Sequence, residues 1–172
     1  DSDGKTIQLS DPLKYKHLSL EKTFGTHTIQ TRAEVGLLTR NIKIQGSQNT
    51  EFFYEIEACD REFDSNQFAT QTCFAGKFGE ELGSDEFGAT VLANAKHRDL
   101  QEAVMHISYV EFFWVGQAFR VGRYPLHFHL LGNVNGSYSR GNAIHNSFNR
   151  ATTIHGISHV LIEHCVTYNI KG

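Results

Sequence analysis

Histidine is the residue type whose number and spacing in this chain point most directly to chemistry. The 172-residue sequence holds ten histidines, and six of them lie in the stretch 123–164: His127, His129, His145, His155, His159 and His164. Imidazole binds Zn²⁺ and related ions and exchanges protons near neutral pH. So many imidazoles in one short segment make it a candidate metal or catalytic site.

The pair His127 and His129 begins this candidate site. Residues two apart on a β-strand point to the same face, and His145 and His155 follow on later predicted strands. If those strands stack in register, several rings line one face. We therefore predict that His127, His129, His145 and His155, together with Arg123, are candidates for binding a metal ion or a polysaccharide.

An alternative for the same histidines is a stack of half-buried rings that hydrogen-bond to turns and to one another. His-x-His alone is a weak motif, and the sequence contains no H-E-x-x-H. The acid–base partners that the sequence offers nearby are Arg123, Glu163 and Asp99. Glu163 is the only acidic residue in 112–172, whereas glycosidases use two carboxylates. Since no G-x-S-x-G elbow occurs either, we favour a protein without enzymatic activity.

An acidic cluster is the other feature of the chain that could hold an ion. Glu80-Glu81 and Asp85-Glu86 could bind Ca²⁺ through their carboxylates. The cluster lacks the D-x-D-x-D-G spacing of a helix-loop-helix calcium site, so a solvated acidic loop is the simpler interpretation. The sequence therefore establishes no cofactor. Ca²⁺ and Zn²⁺ are the ions that the chain could bind.

The candidate histidines lie in a segment of short apolar runs that are separated by Gly, Asn and Ser, and these runs must position them. Segment 138–146 resembles 160–168, and 118–122 resembles 151–156, which gives a repeat of about 20 residues built of very short strands. Such a unit cannot bury its own apolar face and must stack on its neighbour. The Leu ladder of leucine-rich repeats is absent, so the pattern predicts an all-β, parallel β-helix solenoid.

The aromatic run within 103–122 bears on polysaccharide binding. Tyr109, Phe112, Phe113 and Trp114 favour a β-strand. They could form one platform on which sugars stack, or they could alternate between core and surface. The alternation of side chains along a strand favours the second interpretation.

Composition excludes some classes of protein. A net charge of −3 and a pI near 6.4 argue against binding nucleic acid. No apolar run approaches the roughly 20 residues that span a membrane, and no signal peptide is visible. We expect the chain to be an excerpt of a longer polypeptide.

The sequence suggests a division into a lead-in and a main domain. Residues 1–30 are polar with short alternating runs, and the β-helix is predicted over 31–172 with a long insertion at 48–90. The insertion contains Cys59 and Cys73. A bridge between them would stabilise the fold by about 3 kcal/mol, but an odd number of cysteines leaves three unrelated thiols as an equal alternative.

Four long strings resemble a known family. They are AEVGLLTRNIKIQGSQ (33–48), ACDREFDSNQFATQTCFAGKFGEELGSDEFG (58–88), GQAFRVGRYPLHFHLLG (116–132) and SYSRGNAIHNSFNRATTIHGISHVLIEHCVTYNIKG (137–172). These strings look like the parallel β-helix region of fibrocystin-like proteins, which are large ciliary and stereociliary surface proteins. They are also similar to the corresponding region of the cell-migration-inducing, hyaluronan-degrading proteins.

The resemblance implies a right-handed β-helix in an extracellular protein that has passed through the secretory pathway. It implies that Cys59 and Cys73 form a disulfide inside the insertion loop. It also implies that Asn135, in the sequon Asn135-Gly136-Ser137, carries a glycan. Finally, it implies that the β-helix continues beyond Gly172.

Two functions follow from the resemblance as expectations. The first is a non-enzymatic structural or adhesion module of a large glycoprotein at a ciliary or other cell surface, attached to the membrane only through the parent chain. Its partners would be other domains of the same polypeptide and neighbouring surface or ciliary proteins. The alternative is a domain that binds or depolymerises a hyaluronan-like polysaccharide.

Overall fold

The computed structural model describes residues 4, 6–47, 73–76, 79–82, 88–97, 103–118 and 121–172, with the backbone alone for 73–76 and 79–82. The predicted Cys59–Cys73 bridge therefore stays a prediction, because Cys59 lies outside this set and the side chain of Cys73 is not described. Of the proposed acidic Ca²⁺ site, Glu80 and Glu81 are described by their backbone alone, while Asp85, Glu86 and also Asp99 lie outside the described residues. The chain forms two compact units, Asp1–Gly36 and Leu37–Gly172. The predicted domain division after residue 30 stays a prediction.

The first unit contains one antiparallel hairpin. Strands β1 (Leu20–Phe24) and β2 (His27–Thr31) pair in register from Leu20 with Thr31 to Phe24 with His27. Every residue of both strands is exposed. The hairpin therefore contributes no buried core of its own.

The second unit is built from short strands, and the described residues of the chain contain no helix. Its strands are β3 (Ile42–Gln45), β4 (Cys73–Gly76), β5 (Gly79–Leu82), β6 (Val91–Asn94), β7 (His106–Ser108), β8 (Val110–Val115), β9 (Leu126–Asn133), β10 (Tyr138–Arg140), β11 (Ala143–Ser147), β12 (Thr152–Ser158), β13 (Leu161–Glu163) and β14 (Val166–Ile170). Strands β4 and β5 form an antiparallel hairpin. The remaining ten strands pair only in parallel.

The ten strands that pair in parallel form three sheets. Sheet 1 has the order β14-β11-β8-β3, sheet 2 the order β12-β9-β6, and sheet 3 the order β13-β10-β7. From β7 onward the chain visits sheet 3, sheet 1 and sheet 2 in turn and then repeats the same rotation. Each circuit therefore stacks on the one before it, as expected of a parallel β-helix.

The register corrects the repeat that the sequence suggests. Tyr138 pairs with Leu161, one residue away from the alignment of 138 with 160. The alignment of 118–122 with 151–156 is wrong, since Ile154 pairs with Phe128. The turns differ in length from one circuit to the next, so similar strings of small residues do not mark equivalent positions. Contact between core-facing side chains sets the register instead.

Left-handed backbone recurs at equivalent positions of successive circuits. Between sheet 3 and sheet 1, the residues Tyr109, Gly141 and His164 follow β7, β10 and β13 and have φ angles of 53°, 62° and 53°. Non-glycine residues adopt this region at a cost. The bend is therefore imposed by stacking of the circuits, and it does not depend on glycine at every level.

The core lies between the sheets and is filled by large apolar side chains. Leu126, Phe128, Phe112, Ile144 and Val115 have no measurable exposure. Burying each such side chain contributes about 1.5–3 kcal/mol. The predicted division of the aromatic run between core and surface holds for Phe112, which faces the core, and for Tyr109, which is 62% exposed. It does not hold for Phe113 and Trp114, which are both half-buried and stack on each other.

Asn142 links two circuits from inside the protein. Its Oδ1 accepts a hydrogen bond from the Val110 amide (2.9 Å), and its Nδ2 donates to the Ile107 carbonyl (3.1 Å) and to Ser139 Oγ (2.8 Å). A buried amide is stable only when its polar atoms are paired. Asn142 therefore fixes the bend between sheet 3 and sheet 1.

Candidate metal centre

Sheet 2 brings three histidines together. His127 and His129 lie on β9, and His155 lies on β12 as the register partner of His129. Leu126 and Phe128, which alternate with them along β9, are fully buried in the core. The three imidazoles therefore lie on the outer face of sheet 2, because successive side chains of a strand point to opposite faces.

The ring nitrogens of this histidine cluster (His127, His129 and His155) lie near one another, so the three rings are candidate ligands of one metal ion. One nitrogen from each ring lies within 4.8 Å of the other two. Nδ1 of His129 is 3.2 Å from Nδ1 of His155. The ring centroids are 4.8 Å apart for His127 and His129, and 5.1 Å for His129 and His155.

Burial falls steadily across the cluster. His127 is 2% exposed, His129 is half-buried and His155 is exposed. The edge of the Tyr124 ring packs against His127, with centroids 4.9 Å apart and planes at 78°. The cluster therefore has a closed inner end and an outer end that opens to solvent.

Two buried polar atoms in this region have no partner. Nδ1 of His127 lies 3.1 Å from the Gly122 carbonyl, which can only accept, so Nδ1 carries the proton and Nε2 has a free lone pair. Nε2 of His127 and Oγ1 of Thr153 are the buried side-chain nitrogen and oxygen atoms without a hydrogen bond among the described residues. Thr153 is the register partner of His127 on β12. Both unpaired atoms therefore belong to neighbouring residues beside the cluster.

The electrostatics of the cluster favour a neutral inner ring. Burial lowers the pKa of His127, and the positive charges that His129 and His155 can carry lower it further. The hydrogen bond to the Gly122 carbonyl raises that pKa in part. His127 therefore offers a lone pair at neutral pH, which is the form that binds metals.

The other predicted site residues lie elsewhere. The expectation that His145 shares a face with the cluster is wrong, because His145 lies on β11 in sheet 1, opposite Phe113. The sequence misled here because consecutive strands of a coil belong to different sheets. Arg123 is exposed in the turn before β9, where its carbonyl accepts a hydrogen bond from the Gln117 amide (3.0 Å). Its role in binding stays a prediction.

His145 has a partner that sequence reasoning missed. Its Nε2 lies 3.2 Å from Oε1 of Glu111, whose side chain is 2% exposed. Lys43 Nζ is also 3.2 Å from Oε1, and the Arg40 amide donates to Oε2 at 3.0 Å. Burial raises the pKa of Glu111, but the bonds from Arg40, Lys43 and His145 together bring it below 4.5. The pairing of β11 with β8 brings His145 to Glu111, and the pairing of β3 with β8 brings Lys43 there.

An aromatic ladder lies on the outer face of sheet 1. Phe113, His145 and Tyr168 are in register on β8, β11 and β14. Phe113 stacks on Trp114 with centroids 4.4 Å apart, and its centroid is 4.8 Å from that of His145. Tyr168 is 61% exposed. The ladder therefore presents flat rings at successive levels of the solenoid.

Asn135 occupies a turn between β9 and β10. The residue is exposed, and its backbone amide donates to Oδ1 of Asn133 at 3.0 Å. Its side chain is thus accessible for modification. Glycosylation of the sequon stays a prediction.

The part of the chain that the structure describes includes no helix that could cross a membrane.

Comparison with known proteins gives one family: a sequence model described as CEMIP beta-helix matches residues 86–172. No solved structure matches the chain significantly.

Three relatives illustrate the similarity. The chain is 52% identical to fibrocystin-L of Homo sapiens over 173 residues, and this alignment covers 99% of this chain and 4% of that protein. It is 34% identical to the cell surface hyaluronidase CEMIP2 of Homo sapiens, over 84% of this chain and 9% of the relative. It is 33% identical to the cell migration-inducing and hyaluronan-binding protein of Mus musculus, over 96% of this chain and 11% of the relative. The chain thus spans a small part of each relative.

Proposed function

Because this chain belongs to the CEMIP beta-helix family, we propose that it is a non-enzymatic structural and adhesion module of a large extracellular or cell-surface glycoprotein. The observation that carries the proposal is the in-register stacking of parallel strands in three sheets. Such a solenoid buries a continuous core along its axis and forms a stiff spacer. The relatives that contain similar segments are much longer chains, and one is named as a cell-surface protein.

Several finer features belong to the same proposal. The coil is right-handed, as almost all parallel β–crossover–β connections are. Cys59 and Cys73 form a disulfide in the insertion, and Asn135 carries a glycan. The parent protein lies at a ciliary or other cell surface, where its partners are its own further domains and neighbouring surface proteins.

The last circuit suggests where the module meets other polypeptide. Ile154 on β12 and Ile162 on β13 are 52% and 37% exposed, and Ile162 is the register partner of the fully buried Ser139 on β10. Ile154 is the register partner of the fully buried Phe128, so it lies on the core side of sheet 2. We propose that a further segment of the same polypeptide covers this end in the larger protein.

The location can be tested on intact cells that make the full-length protein. An antibody against residues 103–172 should label such cells without permeabilisation, and a glycosidase that removes N-linked glycans should reduce the mass of the protein. An Asn135→Gln variant should lose one glycan. Labelling only after permeabilisation would contradict a surface location.

A second function is favoured by the aromatic ladder on sheet 1. Phe113 on β8 and Tyr168 on β14 lie at different levels of the ladder, with His145 between them, and aromatic rings bind sugars by stacking on their apolar faces. Two of the relatives are named for hyaluronan or for an enzyme that degrades it. The alternative proposal is therefore that the domain binds or depolymerises a hyaluronan-like polysaccharide along sheet 1.

Incubation with long hyaluronan, with and without Ca²⁺, separates the two functions. The structural proposal predicts polymer of unchanged length on a gel. If the alternative holds, Tyr168→Ala should weaken binding, while Tyr15→Ala, which removes a similarly exposed tyrosine of the first unit, should not. Shortening of the polymer that His129→Ala abolishes would make the domain an enzyme and overturn the structural proposal.

A further inference from the structure

We propose that the histidine cluster is a three-histidine site for a divalent transition-metal ion of the Zn²⁺ class, with its fourth position open to solvent. The proposal goes beyond the structural role, because a stiff spacer requires no metal. It rests on the geometry of His127, His129 and His155 and on the two unpaired atoms beside them.

The spacing of the donors suits a tetrahedral ion. Zn–N bonds of about 2.0–2.1 Å place neighbouring ligand nitrogens about 3.3–3.4 Å apart. Nδ1 of His129 and Nδ1 of His155 are 3.2 Å apart. The third nitrogen, from His127, lies within 4.8 Å of both, so metal binding would require ring rotations at the half-buried His129 and the exposed His155 to bring the donors closer.

The unpaired atoms supply the second argument. Leaving a buried polar group unsatisfied costs about 1–3 kcal/mol, and here two such atoms, Nε2 of His127 and Oγ1 of Thr153, belong to residues paired across β9 and β12. An ion bound to Nε2 satisfies the first. Water bound to that ion can donate a hydrogen bond to the second.

The contacts of His127 hold its ring in an orientation that suits metal binding. Metal-bound histidines usually donate their other ring N–H to a carbonyl or carboxylate, which sets the tautomer and the ring plane. Nδ1 of His127 donates to the Gly122 carbonyl, and Tyr124 packs edge-on against the ring. Nε2 is thereby presented as the ligand atom.

The donor set selects the class of ion. Imidazole nitrogen suits Zn²⁺, Cu²⁺ and Ni²⁺, whereas Ca²⁺ and Mg²⁺ require oxygen ligands. Within the described part of the chain, the group contains three histidines and no carboxylate. The gradient from the buried His127 to the exposed His155 leaves the outer position accessible to water or another small ligand. Three protein ligands with an open fourth position are typical of reactive zinc sites.

The test measures metal binding to the 172-residue chain after chelator treatment. Zn²⁺ binding is followed by calorimetry, and Co²⁺ is followed by its visible absorption, which reports coordination number and nitrogen ligands. The variants are His129→Ala and His155→Ala. The matched control is His159→Ala, because His159 is an exposed histidine that bonds Asn133 Oδ1 at 3.2 Å and lies outside the cluster.

We expect one Zn²⁺ per chain, unaffected by millimolar Ca²⁺. His129→Ala and His155→Ala should each weaken binding by at least about 10-fold, and Thr153→Val by about 10-fold, as loss of outer-shell partners does. His159→Ala should bind within about twofold of the parent chain. Zn²⁺ should raise the melting temperature of the parent chain and not that of His155→Ala.

Binding that His129→Ala and His155→Ala leave unchanged would overturn the proposal, as would the absence of stoichiometric binding by the folded chain. The two variants alter half-buried and exposed positions, so circular dichroism can confirm that they fold. The decision therefore does not depend on the buried His127. Failure of the metal site would leave the proposed surface location and structural role untouched.

Discussion

The carboxylate of Glu111 holds together three segments that are distant in sequence. It accepts from the Arg40 amide, pairs with Lys43 on β3 and contacts His145 on β11. A buried charge is tolerated only when paired and hydrogen-bonded. Loss of the Glu111 side chain should therefore disturb contacts among β3, β8 and β11 at once.

Glu111→Gln should lower the free energy of unfolding by about 1.5–3 kcal/mol at pH 7, the range for hydrogen bonds to charged groups. Chemical denaturation followed by circular dichroism measures this change. The control is Glu163→Gln, which removes a partly exposed ion pair with Arg140 and should cost no more than about 1 kcal/mol. Equal effects of the two substitutions would contradict the role given to Glu111.

The same carboxylate should make stability depend on pH. The pKa of Glu111 is lowered below its ordinary 4.5 in the folded protein, so its contribution is complete above that pH and is lost as pH falls through the lowered pKa. The difference in stability between the parent chain and Glu111→Gln should therefore narrow below about pH 4.5. A constant difference from pH 7 to pH 3 would show that the charge is not responsible.

At the scale of elements, the bend between sheet 3 and sheet 1 recurs in three circuits. The Tyr109 side chain covers Gly141 of the next circuit, so a Cβ added at Gly141 would lie 2.5 Å from Cε1 of Tyr109. Gly141 also has a φ of 62°. Stacking of the bends thus limits this position to a residue without a side chain.

Gly141→Ala should destabilise the fold by about 1–2 kcal/mol from the left-handed backbone, and by more from displacement of the tyrosine ring. Thermal unfolding of the variant measures the total. Gly136→Ala is the control for the backbone contribution, since Gly136 has a φ of 95° and no heavy atom within 4 Å of an added Cβ. Tyr109→Ala combined with Gly141→Ala should recover the part due to the ring, and no recovery would assign the whole loss to the backbone.

At the scale of the whole molecule, burial depends on how many circuits cover a residue. Phe128 on β9 and Ile154 on β12 are register partners, yet Phe128 is 0% exposed and Ile154 is 52% exposed. β9 lies between β6 and β12, whereas β12 is the last strand of its sheet. Position in the stack therefore decides the energetic weight of two apolar residues that point the same way.

Phe128→Ala should cost about 3–5 kcal/mol in the 172-residue chain, as for a buried phenylalanine, whereas Ile154→Ala should cost about 1 kcal/mol because half of the side chain is already solvated. Denaturant titrations of both variants measure the difference. In the full-length protein, the cost of Ile154→Ala should rise to about 2–5 kcal/mol if further polypeptide covers the last circuit. An unchanged cost would contradict that covering segment.

The sequence by itself determined the class of fold and two of the candidate metal ligands, His127 and His129. Short apolar runs between turn residues can bury their apolar faces only by stacking, so the all-β solenoid followed from local pattern. The i, i+2 spacing of His127 and His129 likewise placed both rings on one face of β9, because alternation along a strand is local geometry.

The tertiary structure alone decided which distant residues meet. His155 joins His129, while His145 turns away to Glu111, because circuits of unequal length set a register that no repeat in the sequence shows. The same holds for Thr153 beside His127 and for Lys43 beside Glu111, since each pair lies on neighbouring strands of one sheet that are far apart in the sequence. Pairing between strands is a property of the packed core, and the position of a side chain along its own strand cannot specify its neighbour on the next.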